Sequence, residues 1–251
     1  MLNSKASERR PERRFWVLGL LLGLTALLFA GFCALGVWQI ERRAWKLDLI
    51  ERVDARVHAD PVPAPGPAAW SGITAASDEY RRVFLTGHYL NDRETLVQAL
   101  TERGGGFWVL TPFQTNDGPI VLVNRGFVQS DKRDPSSRAR GQIEGETTVI
   151  GLLRISEPKG GFLRTNDPAA DRWFSRDVAA IAQKRDLDNA APFFVDAQAV
   201  QLPQAPVGGL TVLRFNNTHL IYALTWFGLA LLMVVAAYYL VREDRRARRG
   251  P

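Results

Sequence analysis

The sequence predicts two transmembrane α-helices flanking a mainly antiparallel β (α+β) extracytoplasmic domain. Three observations predict it. Two apolar runs, residues 15–37 and 220–240, hold 23 and 21 residues without a formal charge. Each makes about 30 Å of helix, roughly one hydrocarbon core. The net charge of +6 lies on the tails outside those runs, and between them the hydrophobic period changes from helical to two.

The N-terminal tail, 1–14, sets Lys5, Arg9, Arg10, Arg13 and Arg14 against Glu8 and Glu12. The C-terminal tail, 241–251, sets Arg242, Arg245, Arg246, Arg248 and Arg249 against Glu243 and Asp244. Each tail is net +3, so residues 38–218 are neutral as a block. A pI near 9.8 can mark a nucleic-acid binder. Here the excess is confined to the membrane flanks, so the expected surface is the lipid bilayer and no nucleic acid is expected. The positive-inside rule puts both termini in the cytoplasm and the 181-residue middle outside. Glu41, Arg42 and Arg43 add mixed charge to the outer flank, and the short tails dominate.

The first helix is predicted over 15–37. It is too long for a secretory h-region, and no small-x-small cleavage site follows it, so it reads as a retained anchor. Phe32 stands where a lipoprotein signal needs a small residue before Cys33. Cys33 is the sole cysteine, which excludes an intrachain disulfide and a thiol pair for redox work or soft-metal transfer. Gly19 and Gly23, then Gly31 and Gly36, either admit a close neighbouring helix or are ordinary membrane-helix glycines.

Residues 38–69 follow as a stalk and linker. Leu47, Leu49, Ile50 and Val53 keep helical spacing, so the membrane helix continues outward until Pro61, Pro63, Pro65 and Pro67 impose an extended linker. A β-rich domain is predicted over 70–215, large enough for its own core. From Tyr80, Val83, Leu85 and Gly87 alternate with Arg82, Phe84 and Thr86. Further strands are expected at 95–100, 107–113, 120–128, 147–155, 193–197 and 210–215. Asn91-Asp92, Gly104–Gly106, Asn116-Asp117-Gly118 and 158–161 read as turns, the third joining a hairpin. A short helix is expected at 177–184, capped by Ser175 or Asp177. The topology, barrel or sandwich, is left open. The second span is predicted over 219–240.

The chemistry-bearing residues are sparse. His58, His88 and His219 are the only histidines and are not marked as convergent. No Gly-x-Ser-x-Gly elbow, His-Glu-x-x-His or phosphate-cradling glycine loop occurs, so no enzyme is expected. One cysteine and two methionines make a poor soft-metal donor set. His219 stands at the mouth of the second span, sharing a helical face with Tyr222 and Trp226. A neutral imidazole there can ligate haem iron; equally, His, Tyr and Trp all suit a membrane interface. Trp38 also reads as an interfacial anchor.

Several blocks occur in one order along the chain. Leu35-Gly36-Val37-Trp38-Gln39 precedes Arg42 and Lys46. Glu79-Tyr80-Arg81-Arg82-Val83 with Gly87 comes next, then Val109-Leu110-Thr111-Pro112-Phe113. Val121 to Val128 includes Asn124-Arg125-Gly126, and Gly151-Leu152-Leu153-Arg154 follows. The last block holds Asn217, His219, Leu220, Tyr222, Ala223, Thr225, Trp226 and Phe227. Over residues 35–230 the chain resembles the surfeit-locus-one (Surf, or Shy in yeast) family of cytochrome c oxidase assembly factors.

That resemblance implies a two-span protein of a bacterial inner (plasma) membrane, its central domain periplasmic. It implies a role in maturing the haem-bearing subunit I, with that subunit and the haem a synthesis enzymes as partners. Bacterial members are described as binding haem a, with the histidine of the final motif implicated. Carried over, that residue is His219, with Tyr222, Thr225 and Trp226 beside it, and Gly36, Trp38, Gln39 and Arg42 form a membrane-interface motif. Asn124-Arg125-Gly126 reads as a turn whose Arg125 meets a haem propionate or a partner carboxylate, or else a local salt bridge. The opposing expectation is a membrane scaffold that never touches haem.

Overall fold

The structure, a computed structural model, describes residues 9–161, 163–211 and 217–249. In chain order it forms helix α1 (Arg9–His58), strand β1 (Val62–Pro63), helix α2 (Ala75–Asp78) and strands β2 (Arg82–Tyr89), β3 (Thr95–Thr101), β4 (Gly104–Thr115), β5 (Ile120–Gln129) and β6 (Thr147–Ile155). Strands β7 (Gly160–Gly161) and β8 (Arg164–Thr165), helix α3 (Val178–Lys184), strand β9 (Ala190–Ala197) and helix α4 (His219–Arg249) complete it. One compact unit comprises α1 up to Ile50 with α4; the other runs from Glu51 to Leu213.

In the β unit the sheet order is β1-β2-β6-β9-β5-β4-β3. The end of β2 also pairs with β4, Gly87 to Tyr89 against Phe113 to Thr115. Strands β2, β6, β9, β5 and β4 therefore close on themselves, which resolves the open choice in favour of a barrel. All its pairings are antiparallel except β5 with β9, a Greek-key connectivity of the OB type. Closure depends on Gly87, where a Cβ would run into the Gln114 carbonyl.

Alternation places Val83, Leu85, Phe113, Val121, Val123, Val149, Leu153 and Val195 in one core cluster. A second cluster sets Val97, Leu110, Leu122 and Phe194 against Trp173 and, from α3, Val178 and Ile181. Strand β5 is thus covered on both faces and buried along all but its last residue, which is why it reads as a near-continuous apolar run. Asp177 caps α3, its Oδ1 accepting from the Ala180 N–H at 3.2 Å.

Strand β6 coincides with the run expected at 147–155, whereas β9 begins three residues early, at Ala190. Two expected turns are corrected. Gly104–Gly106 opens β4, pairing with Ala99 to Thr101, and the chain reverses at residues 102–103. The physical reason is crowding: at Gly106 a Cβ would strike the Val128 carbonyl and the Phe127 ring, so glycine serves close pairing there. Asn124-Arg125-Gly126 lies inside β5 as a bulge, since Trp108 faces Phe127 while Leu110 faces Asn124. Gly126 has φ +128°, and a Cβ there would meet the backbone of Val207.

The proline-rich stretch is only partly free linker, because Val62 and Pro63 pair in parallel with Val83 and Phe84. Pro suits that edge position. Of the strand expected at 210–215, Leu210 and Thr211 are not in a strand and the remainder lies outside the described residues.

Helix α1 runs unbroken from the predicted span through the predicted stalk to His58. Both long helices are long and apolar enough to cross a membrane, and their most apolar windows are 0 % and 11 % buried.

Candidate functional site

Within the helical unit, α4 meets α1 along a face made of small residues. Ala223 and Ala230, seven apart and so on one helical stripe, are 0 % and 3 % exposed. On α1 the facing gap is Gly36, where a Cβ would stand 2.6 Å from Phe227 Cε1. Such a gap lets a neighbouring ring enter. One turn away the Phe32 and Trp226 rings stack at 5.8 Å and 25°. Among the described residues nothing lies within 4 Å of a Cβ built at Gly19, Gly23 or Gly31. Of the four, Gly36 alone is used for the α4 approach.

At the end of this seam the two motifs meet. His219 Nδ1 lies 2.7 Å from Gln39 Oε1. A carbonyl oxygen only accepts, so with this amide orientation Nδ1 carries the proton and the imidazole is the Nδ1–H tautomer. The Nε2 lone pair has no hydrogen bond among the described residues. Gln39 is 9 % exposed and His219 half-buried. Metal-ligating histidines characteristically have one nitrogen held by a neighbour and the other bare. The donor chemistry of His219 therefore fits a ligand for haem iron.

The other motif residues divide. Trp226 joins the seam, whereas Tyr222 is 54 % exposed. Thr225 is also exposed and spends its hydroxyl on the Ile221 carbonyl at 2.9 Å. Trp38 is 53 % exposed, and the Arg42 guanidinium sits 4.2 Å above the Trp45 ring. Asn217 Oδ1 is buried with no hydrogen-bond partner among the described residues. No group of three or more His, Cys, Asp or Glu side chains gathers as a metal site among the described residues.

In the β unit Arg125 turns inward. It is 4 % exposed; its Nη1 donates to Gln142 Oε1 at 2.7 Å and to Asn91 Oδ1 at 3.4 Å, and its Nη2 to the Gly141 carbonyl. Its guanidinium lies 4.9 Å over the Tyr89 ring. Burial lowers the Arg125 pKa and pushes the Tyr89 phenol up to about 12. These hydrogen-bond partners are neutral, so among the described residues Arg125 makes interior hydrogen bonds rather than the local salt bridge that was the alternative expectation. The bulge supplies the reason, because it redirects the Arg125 side chain out of strand alternation.

Asn124 donates to Asp196 Oδ1 at 2.8 Å, which opens a network joining two motif residues, Asn124 and Arg154, to Asp196, Arg176 and Thr211, which no motif marks. Arg154 Nη1 lies 2.9 Å from Asp196 Oδ2, Arg176 Nη1 3.3 Å from Oδ1, and Thr211 Oγ1 donates to Oδ2 at 3.0 Å. Both guanidiniums lie over the Phe194 ring, at 5.9 and 4.7 Å. Two cations on one buried carboxylate, with satisfied hydrogen bonds, tie β5, β6 and β9 to residues 176 and 211. Nothing in the spacing of Asp196, Arg154 and Arg176 announces the cluster.

Comparison with known proteins places these motifs. Residues 26–231 match the model of the SURF1 family. The chain is 38 % identical over 233 residues to surfeit locus protein 1 of Homo sapiens, covering 86 % of this chain and 73 % of that protein. The Takifugu rubripes protein of the same name is 36 % identical over 214 residues, 78 % of this chain and 86 % of the relative. A SURF1-like protein of Monosiga brevicollis is 32 % identical over 262 residues, with 98 % and 95 % coverage.

Proposed function

Because this chain belongs to the SURF1 family, known as cytochrome c oxidase assembly factors, we propose that it is an integral membrane factor that binds haem a and aids its insertion into, or stabilisation in, the haem-bearing subunit I. The protein sits in a bacterial plasma membrane through α1 and α4, with both termini cytoplasmic and the β barrel periplasmic. Confinement of the net charge to the two tails supports that orientation.

One observation carries the haem reading: the 2.7 Å contact of His219 Nδ1 with Gln39 Oε1. With that amide orientation Nδ1 is the donor, and Nε2 is left without a hydrogen bond among the described residues at the end of the helix seam. His219 holds the ligating atom, and Gln39 holds the ring. The Phe32–Trp226 stack and the Gly36–Phe227 contact hold the two helices in register, so that Gln39 stays opposite His219. If haem a binds here, His219 would hold its iron through Nε2, and the iron would supply the metal-ligation chemistry of the site. Tyr222, exposed one turn along the same face, offers an aromatic surface to a macrocycle.

The test is co-expression with the haem a synthesis enzymes, followed by purification and an optical spectrum. The protein is expected to copurify with haem, and His219→Ala to lose most of it while remaining membrane-inserted. A colourless wild-type preparation, or unchanged haem in His219→Ala, overturns the reading and leaves a scaffold that steadies assembly intermediates.

A further inference from the structure

The far end of α4 carries a groove that the haem reading does not use. It has a volume of about 690 Å³ and is lined by Ala237, Tyr238, Val241, Arg242, Arg245 and Arg246. These positions recur at helical steps of three and four, so they share one face. Arg246 is partly committed, its Nη1 lying 3.0 Å from Glu243 Oε1. Arg242 and Arg245 have no carboxylate partner among the described residues.

The lining changes along its length. Its start is aliphatic, continuing the uncharged run of the span; its end presents guanidiniums beside a phenol. An occupant must therefore be anionic at one end and greasy at the other. A free phosphate or a nucleotide would leave the aliphatic part unused, and a neutral lipid would leave the arginines unmatched. We propose that this groove binds one anionic phospholipid, its phosphodiester held by Arg242 and Arg245 with Tyr238 at the glycerol level and its acyl chain along Ala237 and Val241. Guanidinium forks suit phosphate oxygens, and basic pockets at the cytoplasmic ends of membrane helices are fitted to such headgroups. The proposal rests on the membrane orientation of α4 proposed above, not on haem binding.

The experiment is native mass spectrometry of the full chain in detergent, titrated separately with phosphatidylglycerol, phosphatidylcholine of the same chains, and inorganic phosphate. Wild type is expected to retain one phosphatidylglycerol in preference to phosphatidylcholine. The R242Q/R245Q variant is expected to bind it on the order of thirty-fold more weakly, from the usual contribution of a basic side chain near an anionic surface. Arg248→Gln removes a charge from the same tail outside the groove and is expected to change affinity less than threefold. Equal retention of the two lipids overturns the proposal. So does an equal loss in Arg248→Gln, or phosphate competing as well as the lipid does. Carbonate extraction of membranes is read in parallel: a chain that washes off fails the membrane reading itself, whereas an inserted chain without lipid preference fails only this one.

Discussion

Gln39→Leu isolates the contact on which the proposed haem site depends. The substitution nearly keeps the side-chain volume but removes the acceptor for His219 Nδ1. With Gln39 9 % exposed, water replaces that acceptor poorly. The helix pair then loses a hydrogen bond of about 1 kcal/mol and carries an unsatisfied N–H costing about 1–3 kcal/mol. The imidazole is also free to rotate and to exchange tautomers. Loss of such an outer partner weakens metal ligation about 10–100-fold, which at about 1.4 kcal/mol per decade is of the same size. The assay is haem titration of purified, inserted protein followed at the Soret band. Gln39→Glu keeps an acceptor and should restore or tighten binding, which guards against a trivial folding defect. Equal affinity for wild type and Gln39→Leu, with His219→Ala still weak, would refute the positioning role of Gln39.

Three further outcomes concern stability and packing. Arg138 and Glu94 form a bidentate ion pair whose side chains are 1 % and 5 % exposed. Arg138→Ala should therefore destabilise the barrel by about 3–5 kcal/mol, read as a drop in thermal midpoint and set against Arg172→Ala, whose pair with Asp167 is exposed. Glu157 is pushed up by burial but held below the usual carboxylate range by Arg176, and Asp171, likewise raised by burial, is held low by Trp173 and Arg185. A depressed folded pKa stabilises at pH above the unfolded value and loses that contribution as pH falls through the folded one. The thermal midpoint should thus decline below about pH 4.5, less steeply in Glu157→Gln, and a flat profile counts against these pairs. Gly36→Leu should overpack the seam against Phe227 by about 1–3 kcal/mol, and Phe227→Ala in the same chain should recover part of it; no recovery would place the clash elsewhere.

How much was legible in the sequence depends on whether a feature is local. The two long apolar helices announce themselves because uncharged runs of 23 and 21 residues outrun the length of a buried core helix. Strand β6 was legible end to end, since one covered face makes its pattern alternate. Barrel closure was not, because the pairing of Gly87 to Tyr89 with Phe113 to Thr115 joins strands by register, which no local pattern encodes. Gly104–Gly106 misleads for a related reason: glycine marks close backbone approach as readily as a turn. The site divides in the same way. Gln39 and His219 are each visible within their motifs, but 180 positions separate them, and only the helix pairing makes one the partner of the other. Asp196, Arg154 and Arg176 assemble across strands that meet only in the closed barrel.

Topology reporters test the central arrangement most directly. Alkaline phosphatase, active only outside the cytoplasm, is fused after residue 160 in the β unit and, separately, after residue 249. Two spans with basic cytoplasmic tails predict an active enzyme at the first site and an inactive one at the second. Activity at the C-terminal fusion with silence at the β-unit fusion would contradict that placement, and with it a periplasmic role in oxidase maturation.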